Sequence, residues 1–371
     1  LSIYGTNQAT NSILNLNVAN ALTGTTNFYG SGLTVGIGNN GAFGSSALNV
    51  ESFSVGGDIA FEATGGAKTI SNNITFENLA GSPPTRFTGT NNMTFTGTLA
   101  LGIADQAITS DSSANTTFSG NLGMSTYALS NSITGSGNMT FSGSVSGSGL
   151  ITKTGTGTGE LVFSGSSANT NTGGLTINGG TVVFNKTAGV NAMGAGTIAI
   201  NSGGTLLLGA SNQTSSSNAM TLAGGTFATG GNSTTLGTLT LSANSTIDMG
   251  TGASIINFAD SSGTSWTSGQ LLTITNWSGS SSGGGTDQLY FGNSATGLTA
   301  GQVSQIRFLI GGNLVGAQIL STGEVVPTTP EPTALWGAVG LGIFAAGYEL
   351  RRRMRLAALA IDDDNADATD V

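Results

Sequence analysis

The chain has no cysteine and no histidine in its 371 residues. The first absence excludes a disulfide framework and thiolate metal sites. The second removes the commonest general base, the commonest imidazole metal ligand and the near-neutral pH switch together. Charge is scarce as well. Asp, Glu, Lys and Arg make up 7% of the chain, against about a quarter in ordinary globular proteins. The net charge is -9, and residues 1–329 contain no basic patch, so no nucleic-acid partner is expected. The sequence opens at Leu1 with no basic stretch leading into an apolar one. A missing N-terminus, with its export signal, is the expectation.

What fills the chain instead is glycine, 61 residues of it, with Ser, Thr and Asn. Such composition belongs either to disordered chains or to stacked β-repeats. A hydrophobic fraction of 37% argues for the repeats. Short segments read alike: NITF at 73–76, NMTF at 92–95, NTTF at 115–118, NMTF at 138–141, ELVF at 160–163 and TVVF at 181–184. Their phenylalanines, Phe76, Phe95, Phe118, Phe141, Phe163 and Phe184, are separated by 19, 23, 23, 22 and 21 residues. Similar steps reach Leu206, Phe227 and Met249 downstream, and Phe53 and Leu33 upstream. A period near 22 suits one turn of a β-solenoid whose strands pair in parallel with the turn below. Alternation along each strand predicts Met139 and Phe141 inward and Thr140 outward. The Gly, Ser and Asn stretches between strands suit sharp corners and positive φ.

The organisation follows. The solenoid is expected over 1–259. Residues 260–326, with Trp266 and Trp277, change in texture and are expected to form a C-terminal β cap over the exposed strand edge. Within them, LTAGQVSQIRFLI reads as a helical turn capped by Thr299 and leading into a strand. A short linker, 327–329, leads to PEPTALWGAVGLGIFAAGYELRRRMR at 330–355, and an acidic tail fills 356–371. Pro327 and Pro330 are expected to block further ladder bonds. Thr333 to Leu350 is long enough for one transmembrane helix. Trp336 and Tyr348 lie near its ends, and Arg351, Arg352, Arg353 and Arg355 would hold that end in the cytoplasm.

Two stretches resemble known families. Residues 147–209 resemble the autotransporter-associated β-strand repeat, through Gly149-Leu150, Lys153, Gly159 with Leu161 and Phe163, Ser164-Gly165, the 169–174 corner and Gly179-Gly180-Thr181-Val182-Val183. The resemblance implies a right-handed parallel β-helix displayed outside the cell. No run of lipid-facing strands follows it, so self-transport through a barrel is not expected. Residues 330–355 resemble the PEP-CTERM sorting signal: Pro330-Glu331-Pro332, an apolar helix and the arginine cluster. That resemblance implies recognition by an exosortase in the inner membrane, then transfer to the surface or extracellular matrix of a Gram-negative cell. Glu349 in the apolar end and the sixteen residues after Arg355 depart from the pattern.

A catalytic site would need converging carboxylates, or a base with a cationic partner. The early charges Glu51, Asp58, Glu62, Lys68, Glu77 and Arg86 are the place to look, with Asp58 and Glu77 as one pair for neighbouring turns. The simpler reading is solvated loop residues. The Asn-x-Thr triplets at 73, 92, 115 and 138 are formal glycosylation sequons, better explained as stacked Asn and Thr columns. A Thr rank at Thr75, Thr94, Thr117 and Thr140 would suit an ice-binding surface, but breaks at Val162 and Val183. The expectation is therefore a non-enzymatic structural protein with no cofactor. The alternatives are a carbohydrate-binding adhesin, using Tyr4, Tyr29 and Tyr127 against extracellular polysaccharide, and a β-helix polysaccharide lyase or hydrolase.

Overall fold

The structure is a computed structural model, described here for residues 1–5, 12–30, 32–52 and 57–328. Residues Leu1–Pro327 form one compact unit. Among the described residues it is all-β, with one four-residue helix, Ala300–Val303. The strands form a parallel solenoid. One side is an eleven-stranded sheet running from Ser12–Leu16 to Leu239–Ala243. A second side is a thirteen-stranded sheet. Eleven of its strands, from Lys68–Ile70 to Ile306–Ile310, pair in parallel. The third side is a seven-stranded sheet in the early turns and a three-stranded sheet in the late ones.

Each turn is the same local logic repeated. A three-residue strand such as Met139–Phe141 puts its first and last residues inside and its middle Thr outside. Phe95, Phe118, Phe141, Phe163 and Phe184 lie in register on successive turns, with steps of 23, 23, 22 and 21 residues. Their rings stack, with centroids 5.3, 5.1 and 6.0 Å apart from Phe95 to Phe163. All five are essentially closed to solvent. The inner column is thus one continuous apolar core. At one corner Gly97, Gly120 and Gly143 stack, each so close to the turn below that a Cβ would strike its carbonyl. Glycine is required there by close approach, not only by φ.

The column does not extend as the spacing alone suggests. Phe76 pairs with Val50 and Leu101 in the seven-stranded sheet, not with Phe95. The residue beneath Phe95 is Ile70. Downstream, Phe184 is followed by Leu208, whereas Leu206, Phe227 and Ile247 continue the neighbouring position of Val182. Met249 lies beyond that register, Leu33 belongs to the eleven-stranded sheet, and Phe53 lies outside the described residues. The reason is that one turn carries several strands of the same apolar-Thr-apolar pattern. A segment from an adjacent side can then fall at nearly the right distance.

The architecture does not change at residue 259. Parallel pairing continues from Ser245–Asp248 to Leu272–Thr275 and Ile306–Ile310, and from Ile255–Phe258 to Gln288–Phe291. Among the described residues, isolated antiparallel bridges occur at Asn201–Gly224 and Gly279–Gly285, but antiparallel strand pairing begins at Ile306–Ile310, which is followed by Asn313–Ile319 and Val325–Pro327. Pro327, placed in the linker by sequence, is instead paired with Ala317. The expected helical turn is present. Thr299 Oγ1 accepts from Gln302 N at 3.2 Å, and Gln302 Oε1 accepts from Thr299 N at 2.7 Å. This reciprocal cap satisfies donors at both positions. Trp277 packs edge-on against Phe308 at 5.0 Å, sealing the last parallel turn.

Candidate functional site

The early charges are separated by the fold. Asp58 and Glu77 do not stack. Arg86 lies on the outer face of the eleven-stranded sheet, in register with Ala60 and Thr109. It bonds Asp58 through Nε and Asp111 through Nη1, the latter at 2.9 Å. One guanidinium therefore clips successive turns, which is a bracing role. Lys68 points inward and donates to Gly66 O at 2.8 Å. Glu62 lies beneath Gly89 on the outer side.

Glu77 belongs to the other sheet, where it stacks on Glu51. Glu77 N donates to Val50 O at 2.8 Å, and Val50 and Phe76 are in register. The same outer rank runs back through Tyr29, paired with Glu51, to Tyr4, paired with Tyr29. The phenol rings stack at 5.3 Å, and Tyr4 is 69% exposed. Burial, and then the charge of Glu77, hold the Glu51 carboxyl above its ordinary pKa. Tyr4, Tyr29, Glu51 and Glu77 thus form an outward ladder of two phenols and two carboxylates. Phenol rings pack on the C–H faces of sugars, and carboxylates accept from their hydroxyls. Tyr127, the third tyrosine expected on the surface, is half-buried against the core.

A groove near the C-terminal end is lined by Thr264, Trp266, Gln270, Thr299, Gln302 and Gln305. Its main hydrogen-bonding groups are already engaged. Gln302 Nε2 donates to Ser261 O and Thr264 O at 2.8 and 3.0 Å. Gln305 Nε2 donates to Thr267 O and Gln270 O at 2.7 and 2.9 Å. Trp266 Nε1 donates to Leu239 O at 3.0 Å. These bonds tie the helix to the loop before it, so the groove is a brace.

Sequence reasoning did not place Lys153 or Lys186 in the core. Lys153 and Lys186 are closed to solvent, at 0% and 1% exposure. Lys153 Nζ donates to Thr154 O at 2.6 Å. Lys186 Nζ donates to Ser164 O at 2.8 Å and Gly143 O at 3.2 Å. Burial alone lowers each amine to a pKa of about 8. The signal was strand parity: Lys153 follows Ile151 by two, and Lys186 follows Phe184 by two.

The sorting residues Pro330, Glu331 and Pro332, the helix 333–350 and Arg351, Arg352, Arg353 and Arg355 lie outside the described residues. Among the described residues, no helix is long and apolar enough to cross a membrane. Comparison with family models, curated proteins and solved structures finds no match.

Proposed function

We propose that this chain is a non-enzymatic structural component of the cell surface or extracellular matrix. The observation that carries the reading is the uninterrupted parallel ladder with its stacked phenylalanine core. Such a ladder forms a stiff, extended body in which each turn is held by its neighbours, and it needs no disulfide. In this reading the solenoid is right-handed, as in the repeat family that residues 147–209 resemble. Residues 330–355 deliver it: the helix 333–350 holds the chain in the inner membrane, and an exosortase-like enzyme reads Pro330, Glu331 and Pro332. A carbohydrate-binding adhesin is the second reading, favoured by the Tyr4–Tyr29–Glu51–Glu77 ladder.

Replacing Pro330, Glu331 and Pro332 together by Ala tests delivery. Full-length variant should accumulate in the inner-membrane fraction, while wild type reaches the surface or medium at lower mass. Identical mass and fractionation for the two would make the segment a plain anchor.

A further inference from the structure

We propose that the outer face of the thirteen-stranded sheet is a binding surface for an ordered, uncharged polysaccharide. This deepens the surface-protein reading and rests on it. Two threonine ranks build the face. Thr69, Thr94, Thr117 and Thr140 are in register on four successive turns. That rank continues as Val162, Val183 and Leu207. One outward position away on the same strands, a second rank takes over: Thr181, Thr205, Thr226, Thr246 and Thr273, on five successive turns. The rank expected from sequence shares Thr94, Thr117 and Thr140 with the first, but its Thr75 lies in the seven-stranded sheet, between Asn49 and Ala100, and Thr69 takes its place.

Three properties make this face more than a solvated side. First, its hydroxyls are available. Among the described residues, Thr94, Thr117, Thr140, Thr181, Thr205, Thr226, Thr246 and Thr273 make no side-chain hydrogen bond within the protein. The groove near the C-terminal end, by contrast, has its groups engaged. Second, the face is fixed. These threonines are half-buried between ladder neighbours, and a β-branched side chain has little χ1 freedom. Little ordering entropy is therefore lost when a rigid partner docks. Third, it is nearly free of charge. One turn beyond Thr273 the second rank ends at Arg307, whose Nη1 donates to Ser304 O and Ile306 O; from Thr69 to Thr273 the two ranks carry only Glu160 and Asp248. Both are tied sideways, Glu160 Oε2 to Asn138 Nδ2 and Asp248 Oδ1 to Asn276 Nδ2 and Gly250 N.

The partner's chemistry follows. The face repeats a methyl and a hydroxyl about every 4.8 Å, the step of a parallel ladder. An extended glycan also repeats C–H patches and hydroxyls, ring after ring. Each contact is weak, but many contacts made together multiply. The face offers no free charge to pair with a basic or an acidic polymer, and the net charge of -9 further disfavours an acidic one, so the partner is neutral.

The test is co-sedimentation of the full-length chain with microcrystalline cellulose and with chitin. The wild type should pellet with at least one of the two solids. The triple variant Thr205→Lys, Thr226→Lys, Thr246→Lys should bind at least tenfold more weakly. Ser113→Lys, at an exposed corner, should match wild type. A melting curve of each variant separates lost binding from lost folding. If the triple variant unfolds, Thr226→Lys alone takes its place. No pelleting of wild type with either solid, or equal pelleting by wild type and the folded lysine variants, overturns the proposal. Thermal hysteresis in freezing assays without pelleting also overturns it, in favour of an ice surface. Purified chain is used throughout, so failed sorting appears only in cell fractionation and is not confused with failed binding.

Discussion

At the scale of single residues, the inward column holds both the most and the least expected members. Phe141 is the expected one: removing its ring leaves a void between Phe118 and Phe163. Phe141→Ala should cost on the order of 3–5 kcal/mol in chemical denaturation, whereas Thr140→Ala, half-exposed beside it, should stay within about 0.5 kcal/mol. Equal effects would contradict the inward stacking. Lys153 and Lys186 are the unexpected ones, amines inside the core whose contacts are backbone carbonyls. Their folded pKa of about 8 lies below the ordinary lysine value near 10.4. Between those two values the unfolded chain binds more protons than the folded one, so stability rises with pH across that window. Below about pH 8 both states are protonated, and the burial penalty stands in full. The gain is at most about 3 kcal/mol per lysine. Melting temperature should therefore climb from pH 7.5 to pH 10, and the climb should shrink in Lys153→Met. A flat profile in wild type would show that neither amine loses its proton.

At the scale of elements, the outer corners are held by asparagine ladders. Asn92, Asn115 and Asn138 lie one per turn, and each Oδ1 accepts from the backbone N–H of the next turn, ending at Glu160, at 2.9 Å each. This is why Asn-x-Thr recurs at 92, 115 and 138: the Asn links turns and the Thr faces outward. The triplet at 73 obeys the same rule in another sheet, Asn73 Oδ1 accepting from Thr98 N at 2.9 Å. Alternation and recurrence were thus legible in the sequence wherever the same strand repeats, from Phe95 to Phe184. The side of the turn was not legible, because NITF and NMTF satisfy the same local pattern on different sheets. The Tyr4–Tyr29–Glu51–Glu77 ladder was hidden for a related reason. Its spacings are 25, 22 and 26 residues, and only pairing shows that they are single turns. Asn115→Ala with Asn138→Ala should cost about 1–3 kcal/mol in urea unfolding. An unchanged midpoint would mean that the backbone ladder alone fixes the corner.

At the scale of the whole solenoid, the last turns decide whether a stack of identical steps stops. A parallel sheet edge invites another strand, and here Ile306–Ile310 is covered by Asn313–Ile319 in the reverse direction. Antiparallel pairing ends the repeat, because a strand of the next turn would have to run the other way. Two glycines, Gly311 and Gly312, at φ 57° and 82°, make that reversal. The hairpin they form still exposes Leu309, Ile310 and Leu314, but the strand that follows buries Val325 and Val326 completely, so the end is closed by hydrogen bonds at the hairpin tip and by apolar burial behind it. Removing Asn313–Pro327 would uncover the backbone of Ile306–Ile310 and would also take Gly323 O from Phe291 N, the Glu324 carboxylate from Gly284 N and the buried Val325 and Val326 from the core, while the parallel strand pairs beneath remain. The shortened chain should then self-associate with rising concentration, seen as a mass increase in light scattering, while wild type at the same concentrations does not change. Melting of the turns remote from the cut should fall by little, since each turn is held mainly by its neighbours, whereas Gln288–Phe291, which loses its Phe291 N–Gly323 O bond, should loosen. A shortened chain with the mass behaviour of wild type would place the stop elsewhere, in the Trp277–Phe308 packing that closes the core beneath the hairpin.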